Sequence, residues 1–180
     1  MALQATIYNF DIELAHVDRG VYETLALRVA QHPSESEDFL VARVLAYCLE
    51  YGEGIAFSSG LSDPGEPAIA VRDLTGALRA WIDIGAPDAA RLHRAAKAAA
   101  RVAVYAHREP TQFLRRLAGE TIHRADEIEI FELARPMLAD LVSRLQRRME
   151  FSLSVTDGDL MIAIGDEVIM GRADRRAIQA

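Results

Sequence analysis

Carboxylates that could bind a metal ion lie in the middle of the chain, around two predicted strands at 68–72 and 78–84. Glu66 precedes the first strand and Asp83 lies near the end of the second, so a hairpin brings the two side chains towards each other. Neighbouring carboxylates raise each other's pKa unless a cation lies between them, and Mg²⁺ prefers oxygen ligands. The sequence therefore predicts a magnesium site formed by Asp83, Glu66 and Asp63, and it indicates no organic cofactor.

A basic helix face follows Asp83. At about 100° per residue, His93, Lys97 and Arg101 form one stripe, and Arg94 lies on the same polar side. Lys97 is the one lysine among 20 basic residues. The stripe could present positive charge to a phosphate, so His93, Arg94 and Arg101 are candidate substrate-binding residues. The alternative is an ordinary solvated helix face, with the scarcity of lysine explained by a GC-rich genome.

Structural roles compete with each acidic candidate. Asp63 and Glu66 lie in a loop rich in glycine, serine and proline, where acids are common turn formers. Asp83 is harder to explain this way, because it follows Trp81 in a strand with a buried pattern. Glu35 lies at the start of a predicted helix, where the helix dipole alone favours a negative charge.

The elements around these residues predict a mixed α/β (α+β) fold. A hairpin is expected within 5–30, and Ser34 is the expected N-cap of a helix that ends near residue 50. Strands at 55–57, 68–72 and 78–84, a helix at 87–100 and a strand at 101–106 complete an α-β-β-β-α-β core over 34–106. The last part, 127–171, holds a helix at 136–147 and short strands at 151–156, 160–164 and 167–171, before a tail expected to be frayed.

Length and composition favour one domain spanning 1–180. No apolar run is long enough to cross a bilayer, the first ten residues do not resemble a signal peptide, and Cys48 is the only cysteine. We therefore expect a soluble, cytoplasmic protein with no membrane partner. The net charge of −7 counts against nucleic-acid binding without excluding it. No glycine-rich phosphate loop, H-E-x-x-H motif or G-x-S-x-G motif is present.

Several short segments resemble the bacterial YaeQ family, and the resemblance extends over essentially the whole chain. They are Ala5-Thr6-Ile7-Tyr8, His32-Pro33-Ser34-Glu35, Arg43-Val44-Leu45-Ala46, Gly60-Leu61-Ser62-Asp63, Glu66-Pro67 and Trp81-Ile82-Asp83-Ile84-Gly85-Ala86-Pro87-Asp88. The resemblance implies a mixed sheet that varies the PD-(D/E)XK, restriction-endonuclease-like core, whose element order agrees with the one predicted above.

The resemblance also implies roles for individual residues. Pro67 and Asp83 match the nuclease motif, whereas Ala68 falls where an acid is expected and Gly85 falls where a lysine is expected. Some members of the superfamily carry the lysine on the next helix, which implies a catalytic role for Lys97. A glutamate near the first core helix assists in others, which implies one for Glu35. Asp63, Glu66 and Asp73 are the acids that could replace the one missing at residue 68.

Two functions fit these observations. One is a magnesium-dependent phosphodiesterase acting on nucleic acid, with Asp83, Glu66, Lys97 and Glu35 as catalytic residues. The favoured one is a non-catalytic binding or regulatory protein on a nuclease-like scaffold with a degenerate metal site, whose partner is nucleic acid or another protein. The nuclease hypothesis requires Asp83 to approach a second carboxylate in an accessible cleft. An arginine paired with Asp83 would count against it.

Overall fold

The computed structural model describes residues 4–58 and 64–178, which form a mixed α/β fold with four α-helices. These residues divide into two compact units. The first unit comprises Met1–Val41 and Ala134–Ala173, and the second comprises Ala42–Leu133 and Asp174–Ala180. No helix in the described part of the chain is long and apolar enough to cross a membrane. The single-domain organisation and the cytoplasmic location stay predictions.

The first unit is built on a sheet of five strands. Its order is β2 (Val21–Gln31), β1 (Thr6–His16), β8 (Arg148–Thr156), β9 (Asp159–Ile164) and β10 (Glu167–Arg176). Only the β1–β8 pair is parallel. Side chains alternate between the two faces of a strand, and in β1 the alternate residues Phe10, Ile12 and Leu14 are buried. The sheet therefore has one buried face and one that meets solvent.

Helix α4 (Arg135–Ser143) packs against β10 at a glycine. A Cβ atom on Gly171 would lie 2.7 Å from Cβ of Met137 and 2.4 Å from its sulfur, so any larger residue would separate the two elements. Arg144, just after the helix, pairs with Glu167 of β10. These contacts place α4 on the buried face of the sheet.

The second unit contains five further strands. Their order is β7 (Glu129–Leu133), β6 (Arg101–Ala106), β5 (Leu78–Ile84), β4 (Ile69–Arg72) and β3 (Ile55–Phe57). Strands β5, β6 and β7 are parallel, and β3 and β4 are antiparallel to their neighbours. Helices α2 (Ala89–Ala98) and α3 (Thr111–Ala118) contribute Leu92, Phe113 and Leu117 to a core that also contains Trp81.

The predicted order of elements is observed, with α1 (Glu37–Leu49) preceding β3, β4, β5, α2 and β6. Three details of the sequence prediction are wrong. Ser34 was expected to cap the first core helix, but the Oγ atom that accepts the amide hydrogen of Phe39 belongs to Ser36. Ser34 instead hydrogen-bonds to the ring of His32. Helix α4 ends at Ser143, before 147, because β8 already begins at Arg148.

The third correction concerns the end of the chain. The tail was expected to fray from residue 172, yet β10 continues to Arg176. In the second unit, Arg175 pairs with Glu129 and Arg176 pairs with Glu132, both on β7. These ion pairs explain why a polar sequence is ordered as a strand.

Candidate functional site

The candidate site is built on the β4–β5 hairpin of the second unit. Ile69 pairs with Ile82, so Ala68 lies opposite Asp83, and the amide of Ala68 donates to Asp83 Oδ1 at 3.3 Å. Asp83 is only 3% exposed. At the position where the nuclease motif has an acid, this chain therefore offers a backbone N–H, which can stabilise a carboxylate but cannot bind a metal.

Arg91 neutralises Asp83. Its Nε atom donates to Asp83 Oδ2 at 2.6 Å and its Nη2 atom to Asp83 Oδ1 at 3.0 Å. The same guanidinium donates to the carbonyl oxygens of Glu66 at 2.7 Å and Pro64 at 3.2 Å, and its Cζ atom lies 5.2 Å from the centre of the Trp81 ring. We call these five residues the Asp83–Arg91 cluster. In it, one planar cation gathers four oxygen atoms.

The turn after β5 determines where Arg91 lies. Asp88 caps α2 by accepting the amide hydrogen of Arg91 at 2.8 Å, which places Arg91 in the first helical turn. Gly85, where the motif has a lysine, has a φ angle of 94°. That left-handed conformation is costly for any residue with a Cβ atom. The backbone therefore favours glycine there, and the cation comes from the following helix.

Two of the three predicted ligands, Asp83 and Glu66, lie in the described part of the chain. Glu66 joins the Asp83–Arg91 cluster through its backbone carbonyl, and Asp63 lies outside the described residues. Within 4–58 and 64–178 there is no group of three or more His, Cys, Asp or Glu residues that could hold a metal ion. Asp83 is thus a buried anion whose observed partner is Arg91.

The predicted basic face of α2 divides into separate environments. Arg94 and Lys97 are exposed. His93 accepts the amide hydrogen of His123 through Nδ1 at 3.0 Å, and the two rings meet edge to face with centroids 6.2 Å apart. In the described part of the chain, no contact joins Lys97 to Asp83. The predicted substrate-binding role of His93 and Arg94 stays a prediction.

Arg101 belongs to a second cluster of charges that sequence reasoning missed. It donates to both carboxylate oxygens of Glu50, at 2.6 and 2.9 Å, and it also bonds to Glu129. Tyr105 donates its hydroxyl hydrogen to Glu50 at 2.6 Å. We call these four residues the Glu50–Arg101 cluster. Both acids hold Arg101 in this structure, and its predicted role in substrate binding stays a prediction.

The electrostatics of the Glu50–Arg101 cluster follow from this arrangement. Burial, and then the charge of Glu50, raise the pKa of the Tyr105 hydroxyl well above its ordinary value. Burial lowers the pKa of Arg101, but the bonds and charges of Glu50 and Glu129 outweigh it and raise the pKa overall. The phenol stays neutral and the guanidinium stays charged near neutral pH.

Glu35 lies in the first unit, just before α1. Its amide donates to the carbonyl of His32 at 2.9 Å, and its own carbonyl accepts from Gln31 Nε2 at 3.0 Å. Asp83 belongs to the second unit. These two backbone hydrogen bonds join Glu35 to residues near it in the chain.

The sequence could have indicated the position of Arg91. An arginine three residues after a helix-capping aspartate lies in the first turn, and Arg91 stands three residues after Asp88 and eight after Asp83. The pairing of Glu50 with Arg101 had no such signal, because 51 residues separate the two.

Comparison with known proteins agrees with this fold. The YaeQ protein family profile matches residues 1–171. The uncharacterized protein YaeQ of Salmonella typhi is 29% identical over 164 residues, and that of Escherichia coli strain K12 is 28% identical over 165; each match covers 91% of both chains.

Two crystal structures are also similar. The YaeQ protein of Xanthomonas axonopodis pv. citri has a TM-score of 0.86 and 28% identity, covering 97% of this chain and 99% of that one. The YaeQ protein of Pseudomonas syringae has a TM-score of 0.86 and 27% identity, covering 95% of each chain. The profile match and the shared fold lead to one conclusion: the chain belongs to the YaeQ family.

Proposed function

We propose that this chain is a non-catalytic binding or regulatory protein on a nuclease-like, PD-(D/E)XK scaffold, in which Arg91 takes the place of the metal ion. The observation that carries the proposal is the bidentate pairing of Asp83 with Arg91. In an active site of this kind the acid of the third core strand would bind a divalent cation. Here the chain supplies the cation itself.

The order of elements supports the scaffold. Helix α1, strands β3 to β5, helix α2 and strand β6 follow one another as the nuclease core requires. Asp83 occupies the third of these strands, and Ala68, immediately before the second, lies opposite it. Both departures from the motif have physical substitutes, because the Ala68 amide faces the carboxylate and the φ angle of Gly85 disfavours a side chain.

A metal ion would have to displace more than one ion pair. Arg91 makes four hydrogen bonds, to the two oxygens of Asp83 and to the carbonyls of Pro64 and Glu66. Its guanidinium stays charged at any ordinary pH. A divalent cation would therefore have to compete with all four of these bonds for the oxygen atoms.

A magnesium-dependent phosphodiesterase is the second candidate, and one observation favours it. The oxygens that surround the guanidinium, a carboxylate and two backbone carbonyls, are the type of ligand that a hard cation accepts. If Arg91 moved away, Glu66 and Asp63 could complete the set and Lys97 could supply the cation. This alternative makes Asp83 a metal ligand in the working protein.

Calorimetric titration of Mg²⁺ and Mn²⁺ into the full chain separates the two candidates. We expect no saturable heat with the wild type, and no metal-dependent hydrolysis of bis-p-nitrophenyl phosphate or of single-stranded, branched or duplex DNA. The variants for comparison are Asp83→Asn, Glu66→Gln and Arg91→Ala. Glu53→Gln, an exposed acid of the same unit, is the matched control.

The outcomes are distinct. The proposal predicts that Glu66→Gln changes nothing, because Glu66 takes part through its carbonyl, and that Mn²⁺ binds only when Arg91→Ala exposes the oxygens. Saturable Mn²⁺ binding by the wild type that is lost in Asp83→Asn, together with hydrolysis lost in the same variant, would establish the phosphodiesterase instead.

A further inference from the structure

The sheet of the first unit has one face that meets solvent, and apolar side chains are concentrated on it. Four of the six large apolar side chains that are exposed among the described residues lie there. They are Tyr22 (63% exposed), Met161 (44%), Val168 (58%) and Met170 (61%). We call this surface the outer face. It consists of the alternate residues of β2, β1, β8, β9 and β10 that are not buried.

The apolar side chains of the outer face form a strip along one row of the sheet, interrupted by Ser154. The strand register places five residues in one row, since each pairs with the next across the sheet: Tyr22, Ala15, Ser154, Met161 and Met170. The neighbouring pair Ala163 and Val168 widens the row on β9 and β10. The strip is flat in its middle, where the residues are small, and has larger, adaptable side chains at its ends.

Carboxylates without partners lie beside the strip. Glu13 is two residues from Ala15 on the same face of β1, and Asp11 lies directly opposite Glu150 of β8. Like charges placed directly opposite each other are unfavourable. Within the described residues none of these three acids forms an ion pair.

The charges on the other side of the strip are already paired. There Asp159 lies opposite Arg172, and the two form an ion pair. Arg28 and Arg148 lie on the outer face too, but one row beyond Asp11 and Glu150. At about 7 Å per row, the acids begin about 7 Å from the strip, and these arginines are about 20 Å away. A molecule on the strip therefore meets unpaired negative charge on one flank.

We propose that the outer face docks a basic amphipathic helix of another protein, with apolar side chains on the strip and Lys or Arg side chains on Glu13, Asp11 and Glu150. The dimensions agree. Five strands about 4.8 Å apart span about 19 Å, which equals about 13 residues of helix, and a helix about 10 Å wide reaches the row of Glu13. Methionine side chains suit such a surface because they adapt to varied apolar partners.

Charge argues against the other occupants. Nucleic acid and anionic membranes would be repelled by the three acids. In a second copy of the chain, two molecules of net charge −7 would approach each other, and neither has a basic row next to its strip. The inference uses residues of the first unit only, so it succeeds or fails independently of the Asp83–Arg91 cluster.

Fluorescence anisotropy tests the proposal with three labelled peptides of about 14 residues, a length that spans the strip. One is an amphipathic Leu/Lys helix, one is the same helix with Glu in place of Lys, and one is a scrambled Leu/Lys peptide without an apolar face. We expect the full chain to bind the amphipathic basic peptide at least tenfold more tightly than either of the others.

Substitutions locate the binding. Met161→Ser and Met170→Ser should each weaken binding by about tenfold, since burial of a methionine side chain contributes at least that much. At low salt, Glu13→Lys should also weaken binding of the basic amphipathic peptide. Leu74→Ser, which changes the 94%-exposed residue of a turn in the second unit, and Glu120→Lys, an exposed acid there, are matched controls expected to have no effect.

Three results would overturn the proposal. The first is equal affinity for the basic and acidic amphipathic peptides. The second is binding that Leu74→Ser weakens as much as Met170→Ser does. The third is self-association in sedimentation analysis that Met170→Ser abolishes, since it would show that a second copy covers the outer face.

Discussion

Two groups of acids in this protein have opposite environments. Asp83, in the second unit, is buried and pairs with Arg91, and it also accepts a hydrogen bond from the Ala68 amide. Two backbone carbonyl oxygens accept hydrogen bonds from the same guanidinium. Asp11, Glu13 and Glu150, in the first unit, lie on an open strand face, and none of them has an ion-pair partner among the described residues.

The difference teaches where to look for a ligand. A motif draws attention to Asp83, yet the chain already satisfies that charge. The acids of the outer face have no motif, yet their charges remain available to a partner. We propose that binding depends more on whether a charge is satisfied within the chain than on its position in a pattern.

Replacement of Arg91 by alanine should have the largest effect on stability. It leaves Asp83 buried without its cation, so we expect a loss of about 3 kcal/mol in the free energy of unfolding. Urea denaturation measures the change. Arg94→Ala, an exposed arginine on the same helix, is the control and should change stability by about 0.5 kcal/mol or less. If Arg91→Ala lowers the free energy of unfolding no more than the control does, Arg91 does not stabilise the buried Asp83.

Replacement of Glu50 by glutamine should weaken the other buried cluster. Arg101 would lose a bidentate carboxylate but keep Glu129, so we expect a loss of about 2 kcal/mol, within the range for hydrogen bonds to charged groups. The same denaturation experiment applies, with Glu53→Gln as the exposed control. If both variants are equally stable, Glu50 contributes no more than a surface charge.

The same cluster predicts a pH dependence in alkaline solution. The pKa of Tyr105 is raised in the folded state, so folding favours the protonated phenol. Its contribution to stability is complete below the ordinary tyrosine pKa of about 10 and is lost as pH rises through the higher folded value. The stability advantage of the wild type over Tyr105→Phe should therefore shrink as the pH rises above the ordinary tyrosine pKa of about 10. An advantage that grew with pH would contradict the assignment.

Removal of an acid from the outer face should have a small effect of the opposite sign. Glu150→Gln relieves the repulsion from Asp11, so we expect a gain of up to about 0.5 kcal/mol. Asp83→Asn should destabilise the protein under the same conditions, because Arg91 then loses its counter-ion. Glu120→Gln serves as the control. Destabilisation by Glu150→Gln would show that the chain itself uses this acid.

The fold was largely predictable because it depends on local patterns. The hairpin predicted within 5–30, the helix predicted at 87–100 and the strand predicted at 101–106 are all present. The prediction that the chain frays from residue 172 was wrong, because the order of this segment depends on ion pairs with β7 and not on a local pattern.

The site was less predictable because it depends on long-range partners. Spacing placed Asp83 near the end of β5 but could not show that Arg91 would turn back onto it. Arg101 was assigned to the solvent-facing stripe, whereas its acids come from 51 residues earlier and 28 residues later in the chain. The roles of Asp63, Glu66, Lys97 and Glu35 in a metal site stay predictions.

A double-mutant cycle on Asp83 and Arg91 tests the central claim most directly. Urea unfolding of the wild type, Asp83→Asn, Arg91→Gln and the double variant, with and without Mn²⁺, gives the coupling energy between the two side chains. We predict a favourable coupling of about 2–3 kcal/mol, within the range for residues in direct contact, and no stabilisation of the wild type by Mn²⁺. A coupling near zero, with a wild type that Mn²⁺ stabilises and an Asp83→Asn variant that it does not, would show that Asp83 serves a metal ion.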